Sequence, residues 1–168
     1  QWHGRLESEL PCKEVIDHYK QFMTKKVLYV EGIGDEELYS LIEQLGRFVK
    51  ANQLFNWFIK NVMNNQIDKE YYEITRIQLE DFLNVCNKVK DSFMLLRKNQ
   101  YTNRNEYVVN KDVAKELLPL MEEKGYFFGL NEYNELYADQ VVKAIDVVNN
   151  ILVTTDFENQ TIYFNARW

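Results

Sequence analysis

Cysteine, histidine and proline are scarce in this chain of 168 residues, which has two of each. Two cysteines, Cys12 and Cys86, are too few for the disulfide framework of a small secreted protein. Together with the two histidines they show no ligand spacing typical of zinc. No apolar run reaches the ~18 residues of a membrane-spanning helix. We therefore expect no structural metal, no bound cofactor and no membrane span.

Familiar sequence signatures of catalysis are missing as well. The chain has no phosphate-binding loop, no nucleophile elbow and no H-E-x-x-H helix. Cys86 falls on the apolar face of a predicted helix, which favours a buried free thiol. These absences favour a binding role over catalysis, and we predict no catalytic residue.

Basic residues are outnumbered, with 20 Lys and Arg against 26 Asp and Glu and a net charge of -6. Residues 121–168 hold most of this excess, with 3 basic and 8 acidic residues. A basic footprint for nucleic acid is absent over the chain as a whole, so nucleic acid is not the expected partner. The acidic third either faces a basic partner or forms a solvated surface. One basic cluster, interpreted as a solvated helix face, comprises Lys88, Lys90, Arg97, Lys98 and Arg104.

Hydrophobic spacing predicts a mainly helical chain with a few short strands. The strand candidates are Val27–Val30, Tyr71–Ile74, Tyr107–Val109 and Thr161–Phe164. Three helix candidates are residues 12–22, 111–121 and 134–153. Residues Leu41–Val62 are predicted to form either one long helix or two helices joined near Gly46. A further predicted helix is capped by Thr75 and Gln78, and its apolar face continues to Leu96. Helices and strands do not alternate as in a doubly wound sheet. We predict an α+β fold: a mainly α-helical single domain with a small antiparallel sheet of short strands.

Domain organisation and location follow from composition. No linker rich in Ser, Gly or Pro divides the chain, so we expect one globular domain over residues 23–168 and an N-terminal extension or arm over residues 1–22. Gln1–Leu10 is polar and charged, without the apolar centre of a signal peptide. The expected location is the cytoplasm, and the oligomeric state is left open.

Asn52 is the most informative polar residue, because it shares a predicted helix face with Phe48, Phe55 and Ile59. A buried Asn needs hydrogen-bond partners, so it either holds a neighbouring loop against the helix by hydrogen bonds or binds a ligand or partner. Lys50 and Trp57, about two turns apart, either pack on each other or line a cleft.

Aromatic residues are abundant, at 14% of the chain, and several carry a polar tip. Such side chains fill cores, but they also suit interfaces and pockets. The residues expected to contact a ligand or partner are Lys50, Asn52, Trp57, Tyr126, Phe128, Tyr133, Glu135, Tyr137 and Trp168.

Residues 27–39, VLYVEGIGDEELY, combine a short strand, a glycine turn and an acidic helix start. They resemble the opening motif of Toprim domains, in which the strand-end glutamate is a general acid/base, here Glu31. Toprim domains also use a D-x-D motif to hold magnesium, and no D-x-D occurs in this sequence. The resemblance implies a magnesium-dependent phosphoryl-transfer enzyme, with half of the expected motif pair missing.

A longer set of motifs runs from residue 47 to residue 168. It consists of RFVKANQLFNWFI from Arg47, YYEITRIQLE from Tyr71, LLP and GYFFG within residues 117–129, EYNELY from Glu132 and the final IYFNARW. This set resembles a family of small bacteriophage and prophage proteins whose pattern reads Y-W-R-K-A-N…W-F, Y-Y-E-V, L-L-P, G-F-F-F-G and a terminal Trp. Val49 and Phe55 stand where that family has Arg and His. The resemblance implies a phage or prophage origin and brings no known activity with it.

Three hypotheses follow. The first is a non-enzymatic phage or prophage accessory protein that binds a host or phage macromolecule, expected to be a protein, and that inhibits host defence such as CRISPR systems. The second is a Toprim-like enzyme using Glu31. The third is a small-ligand binder built around Lys50, Asn52 and Trp57, with Tyr133 and Tyr137 in the same pocket.

Overall fold

A mixed sheet, a separate hairpin and four helices make up the part of the chain that the computed structural model describes, which is residues 3–9, 24–30, 42–49, 51–68, 70–121 and 132–167. The elements in chain order are β1 (His3–Glu9), β2 (Thr24–Val30), β3 (Ile42–Val49), α1 (Asn52–Asn61), β4 (Tyr71–Ile74), α2 (Arg76–Asp91), β5 (Met94–Lys98), β6 (Asn105–Val108), α3 (Lys111–Leu117), α4 (Glu135–Thr154) and β7 (Gln160–Arg167). The predicted α+β class is confirmed.

Five strands form the larger sheet. β1 pairs antiparallel with both β2 and β3, β2 runs parallel to β7, and β7 pairs antiparallel with β4. β1 lies within the predicted N-terminal extension and contributes a strand to this sheet. The smaller sheet is the antiparallel β5–β6 hairpin. The larger sheet is therefore mixed: it contains antiparallel pairs, and β2 runs parallel to both β7 and β3.

The hydrophobic core gathers buried side chains of α1, α2, α4 and β7. Alternate residues of β7, Ile162, Phe164 and Ala166, are fully buried, as expected for a strand with one face on the core. Phe58 of α1 stacks on Phe164 with ring centroids 4.3 Å apart and contacts Phe82 of α2 at 4.8 Å. Burying an aromatic or aliphatic side chain contributes roughly 1.5–3 kcal/mol, so this cluster fixes α1 against the sheet.

Three of the four helices begin with a side-chain cap. Thr75 and Gln78 form the predicted capping box: Thr75 Oγ1 accepts from the Gln78 amide at 3.1 Å, and Gln78 Oε1 accepts from the Thr75 amide at 3.0 Å. Asn110 Oδ1 accepts from the Val113 amide at the start of α3, and Asn134 Oδ1 accepts from the Tyr137 amide at the start of α4. The starts of α2, α3 and α4 therefore agree with the predicted helices to within about a residue.

The predicted helix over Leu41–Val62 is wrong in its first half, because residues 42–49 form β3 and α1 begins at Asn52. Leu45 and Phe48, spaced as on a helix, lie on a strand that pairs along its length with β1. Gly46 lowers helix propensity at its centre, and a distant strand supplies the backbone partners. Long-range pairing therefore outweighs the local spacing.

The predicted continuation of α2 to Leu96 is also wrong. The helix ends at Asp91, where the Ser92 hydroxyl donates to the Val89 carbonyl at 2.6 Å, and β5 starts at Met94. α3 ends at Leu117, before Pro119, rather than at residue 121. The predicted helix over residues 12–22 and the aromatic run 125–129 lie outside the described residues. Among the residues described, no helix combines the length and apolar character that crossing a bilayer requires.

Candidate functional site

The backbone of residues 118–121, called the 118–121 segment below, is held by side chains from two directions. From α1, Asn52 Oδ1 accepts a hydrogen bond from the Met121 amide at 2.6 Å, and Asn56 Nδ2 donates to the Pro119 carbonyl at 2.9 Å. Asn52 and Asn56 are four residues apart, so they share one helix face. Asn52 therefore holds a neighbouring loop against the helix, which is the first of the two roles predicted for it from the sequence.

Two tyrosines hold the same segment from the other side. Tyr137 of α4 donates its hydroxyl to the Leu118 carbonyl at 2.6 Å, and the Tyr133 hydroxyl accepts from the Leu120 amide at 3.2 Å. Burial raises the pKa of the Tyr137 phenol far above its ordinary value, and neighbouring Tyr133 adds to the shift. Tyr137 therefore remains a neutral donor at any physiological pH.

Gln53 joins the two sets of contacts. Its Nε2 donates to Gln140 Oε1 at 2.9 Å and to the Tyr137 carbonyl at 3.3 Å, and both glutamines are buried. Gln53, Asn56 and Gln140 were not predicted as site residues. The spacing of Asn52 and Asn56 on one face was the available signal, since buried polar side chains are rare and hydrogen-bonded. The result is a satisfied polar layer between α1, α4 and the 118–121 segment.

Trp57 lies apart from the Asn52 contacts, against α2. Its ring contacts Phe82 at 4.9 Å and Phe58 at 5.3 Å between centroids. It also lines a cavity of about 290 Å³ together with Asn56 and Pro119 and with Lys60, Asn61, Glu116 and Leu117. Asn52, Tyr133 and Tyr137 do not line this cavity, so the structure brings those three together and leaves Trp57 at a neighbouring site.

The remaining predicted residues fall into two groups. Glu135 is exposed in the first turn of α4, where a carboxylate is favoured by the helix dipole. Lys50, Tyr126, Phe128, Trp168 and the Toprim-like Glu31 lie outside the described residues.

A wider cleft of about 630 Å³ lies between α4, β3 and β6. Phe48, Tyr107 and Leu136 supply apolar walls, and charges of both signs come from Arg104, Asp139, Lys143 and Asp146. The Lys143 ammonium sits 5.8 Å from the centroid of the Phe48 ring, within the range of a cation–π contact. This cleft could not be predicted from the sequence, because its walls come from elements far apart in the chain.

The β5–β6 hairpin presents consecutive apolar residues to solvent. Met94, Leu95 and Leu96 are 69%, 61% and 57% exposed. Met94 stands opposite Val108, which is also exposed, whereas Leu95 stands opposite the half-buried Tyr107. The register shifts at Leu96, so this residue occupies a bulge. Large apolar side chains are thus exposed on both faces of β5.

The turn between β5 and β6 is well defined by hydrogen bonds. Asn99 Oδ1 accepts from the amides of Tyr101 and Thr102 at 2.9 and 3.1 Å, and the Asn99 amide donates to the Arg104 carbonyl at 2.8 Å. Asn103 takes the left-handed conformation, with φ at 55°, which asparagine tolerates better than most residues. The turn holds Tyr101 fully exposed at the tip.

Charge on the hairpin is mostly positive. Arg97 pairs with Glu106 at 2.5 Å, and this bond, followed by one from Asn99, lowers the pKa of the Glu106 carboxyl. Lys98 and Arg104 are exposed and have no carboxylate partner among the described residues. These two basic residues and Arg97 belong to the cluster that was interpreted as a helix face, and that interpretation is wrong for them because they lie on the hairpin.

We call the exposed side chains of β5, β6 and their connecting turn the hairpin surface.

In the described ranges no three His, Cys, Asp or Glu side chains lie close enough together to hold a metal ion. Comparisons with protein-family models, with curated proteins and with solved structures gave no significant match.

Proposed function

We propose that this protein acts by binding a host or phage macromolecule through the hairpin surface, as a non-enzymatic accessory protein of a phage or prophage. The observation that carries the proposal is the exposure of Met94, Leu95 and Leu96 in direct succession. Single exposed apolar residues are ordinary, but a contiguous exposed group marks an interaction site. The motif resemblance to phage and prophage proteins supplies the biological setting, and inhibition of host defence is one role in that setting.

The chemistry of the hairpin surface suits a protein partner. Covering each of the three apolar side chains would contribute roughly 1–2 kcal/mol, given their exposed fractions and the value of complete burial. Tyr101, fully exposed at the tip, adds an aromatic side chain of the kind enriched at interfaces. The hydrogen-bonded turn orders this surface in advance, which reduces the entropy lost on binding.

Capture from a bacterial host lysate tests the proposal, with the bound proteins quantified by mass spectrometry. The test variant is Met94→Ser/Leu96→Ser, which removes apolar area without disturbing the core. The matched control is Ile77→Ser, because Ile77 on α2 is exposed to the same extent as Met94, at 69%. We expect one partner that the wild type and the control retain and the test variant loses. A partner retained equally by all three proteins would refute a role for the hairpin surface.

A small-ligand role is a second candidate, and the Trp57 cavity carries it. Its volume of about 290 Å³ lies near the lower end for ligand sites, and its lining combines an indole with the side chains of Lys60 and Glu116. A thermal-shift screen of metabolites with wild type and Trp57→Leu tests it. Stabilisation by a compound in the wild type, absent in the variant, would favour this candidate.

A further inference from the structure

We infer that the segment recognised by the hairpin surface is an acidic polypeptide in which a run of apolar side chains lies next to a run of carboxylates. This inference rests on the proposed function and specifies the chemistry of the partner. The surface combines two features on one short ribbon: the apolar Met94, Leu95 and Leu96, and the exposed cations Lys98 and Arg104. A complementary partner must cover the first group and neutralise the second.

The local charge is opposite to that of the whole chain. The end of α2 and the hairpin, residues 88–106, carry five basic and two acidic residues, whereas the rest of the chain carries 15 basic and 24 acidic residues. Glu106 is already engaged by Arg97 and Asn99, so it does not neutralise Lys98 or Arg104. An acidic segment is therefore attracted to this region and repelled by most of the remaining chain, which favours binding at the hairpin.

The shape of the surface favours an extended segment. β5 has five residues, with exposed side chains on both faces, and in the described part of the chain it pairs with β6 alone. Met94 lies at one end of the strand and Lys98 at the other, about 13 Å apart at the rise of an extended chain. A partner that runs along β5 would meet apolar side chains first and cations second.

Two other occupants fit the surface less well. A second copy of this chain would bring Lys98 and Arg104 onto a surface that carries the same cations. Single-stranded nucleic acid would find the cations and one exposed aromatic side chain, Tyr101. Successive bases stack on several aromatic side chains, however, and Met94, Leu95 and Leu96 are not aromatic. Both occupants can be distinguished from an acidic segment by the same experiment.

The experiment measures fluorescence anisotropy of labelled synthetic peptides titrated with the full chain. The probe has about ten residues, enough to extend past both ends of β5, and carries Val and Leu in one half and Glu in the other half. In one comparison peptide Lys replaces every Glu. In the other comparison peptide Ser replaces every Val and Leu. The protein variants are Lys98→Glu and, as a matched charge reversal on an exposed lysine of α3, Lys111→Glu.

We expect the acidic apolar probe to bind the wild type and the Lys111→Glu variant, and both comparison peptides to bind more weakly. Lys98→Glu should weaken binding about 5- to 10-fold at low ionic strength, with a smaller effect at about 200 mM salt because exposed charges are screened. Equal binding of the three peptides, no binding of the probe, or equal affinity of Lys98→Glu and Lys111→Glu would overturn the inference.

Two further outcomes would also overturn it. One is self-association in analytical ultracentrifugation that Met94→Ser/Leu96→Ser abolishes, which would identify a second copy as the occupant. The other is a labelled single-stranded oligonucleotide whose binding, unlike that of the probe, depends on Lys98. Lysate capture separates this inference from the proposed function: a partner lost in Met94→Ser/Leu96→Ser but kept in Lys98→Glu removes the acidic specificity and leaves the binding function standing.

Discussion

Asn52 should contribute more to stability than any exposed asparagine of the same helix. Its side chain is 2% exposed, and its Oδ1 accepts from the Met121 amide at 2.6 Å. In Asn52→Ala that amide loses its partner in a buried setting, which costs about 1–3 kcal/mol. For a chain of this length each kcal/mol corresponds to roughly 2–4 °C in Tm. A loss of about 2 kcal/mol therefore predicts a Tm lower by about 4–8 °C.

The assay is urea unfolding followed by far-UV circular dichroism, with thermal unfolding as a second measure. Asn61→Ala is the matched control, because Asn61 is exposed on α1 and its Nδ2 donates to the carbonyl of Trp57, four residues earlier, at 2.8 Å. We expect the control to change the free energy of unfolding by less than about 0.5 kcal/mol.

Asn56→Ala refines the test, because Asn56 holds the Pro119 carbonyl of the same segment. If both asparagines act by holding one segment, the double variant with Asn52→Ala should lose less stability than the sum of the single losses, by about 0.5 kcal/mol or more. Equal losses in Asn52→Ala and Asn61→Ala, or strict additivity of Asn52→Ala and Asn56→Ala, would refute the argument that these side chains hold the 118–121 segment together.

Three further predictions concern cysteine, pH and capping. In a Cys12→Ser background the buried Cys86 should resist a thiol reagent until the protein unfolds, because burial also raises its pKa; rapid labelling of the native state would contradict this. Because Arg97 holds the pKa of Glu106 below its ordinary value of 4.5, the Glu106 carboxylate stabilises the hairpin above that pH and stops doing so as the pH falls through the lowered pKa. NMR shifts of β5 should follow that titration and lose it in Glu106→Gln; an unchanged profile would contradict the pairing. Thr75→Ala should lower the free energy of unfolding by about 0.5–2 kcal/mol in urea, and a negligible loss would show that the capping box contributes little.

Local signals in the sequence identified the elements whose determinants are local. The Thr75 capping box, the starts of the predicted helices at residues 111 and 134, and the short β-rich runs at Tyr71 and Thr161 all lie within about a residue of where the structure has them. Each of these elements depends on residues within a few positions of one another, so it can be predicted from the sequence.

The elements that were missed depend on partners far away in the chain. β3 has a helical apolar period, yet its backbone pairs with β1, about forty residues earlier. β5 follows α2 after a two-residue gap and continues its apolar pattern, yet it pairs with β6 across a turn. In both places the hydrophobic period was read as a helix, since a short apolar run fits either structure until its pairing partner is known.

The same distinction applies to the candidate site. Burial of Asn52 could be predicted from its helix face, but its partner at Met121 could not, because the bond crosses 69 positions of sequence. The exposure of Leu96 was equally hidden: on the predicted helix it would face the core, and only the pairing of β5 with β6 places it in solvent.

The exposure of β5 also argues that its apolar residues are not retained for folding. An exposed methionine or leucine contributes little to the core, so Met94→Ser/Leu96→Ser should leave stability nearly unchanged, whereas burial elsewhere makes each apolar side chain worth roughly 1.5–3 kcal/mol. The polar layer around the 118–121 segment shows the opposite relation, since its side chains are buried and their hydrogen bonds are satisfied within the chain. Buried side chains whose hydrogen-bonding groups are already paired within the fold contribute little to binding a partner. The hairpin surface exposes apolar side chains, and its Lys98 and Arg104 form no ion pair with another described residue, so this is where binding would gain the most.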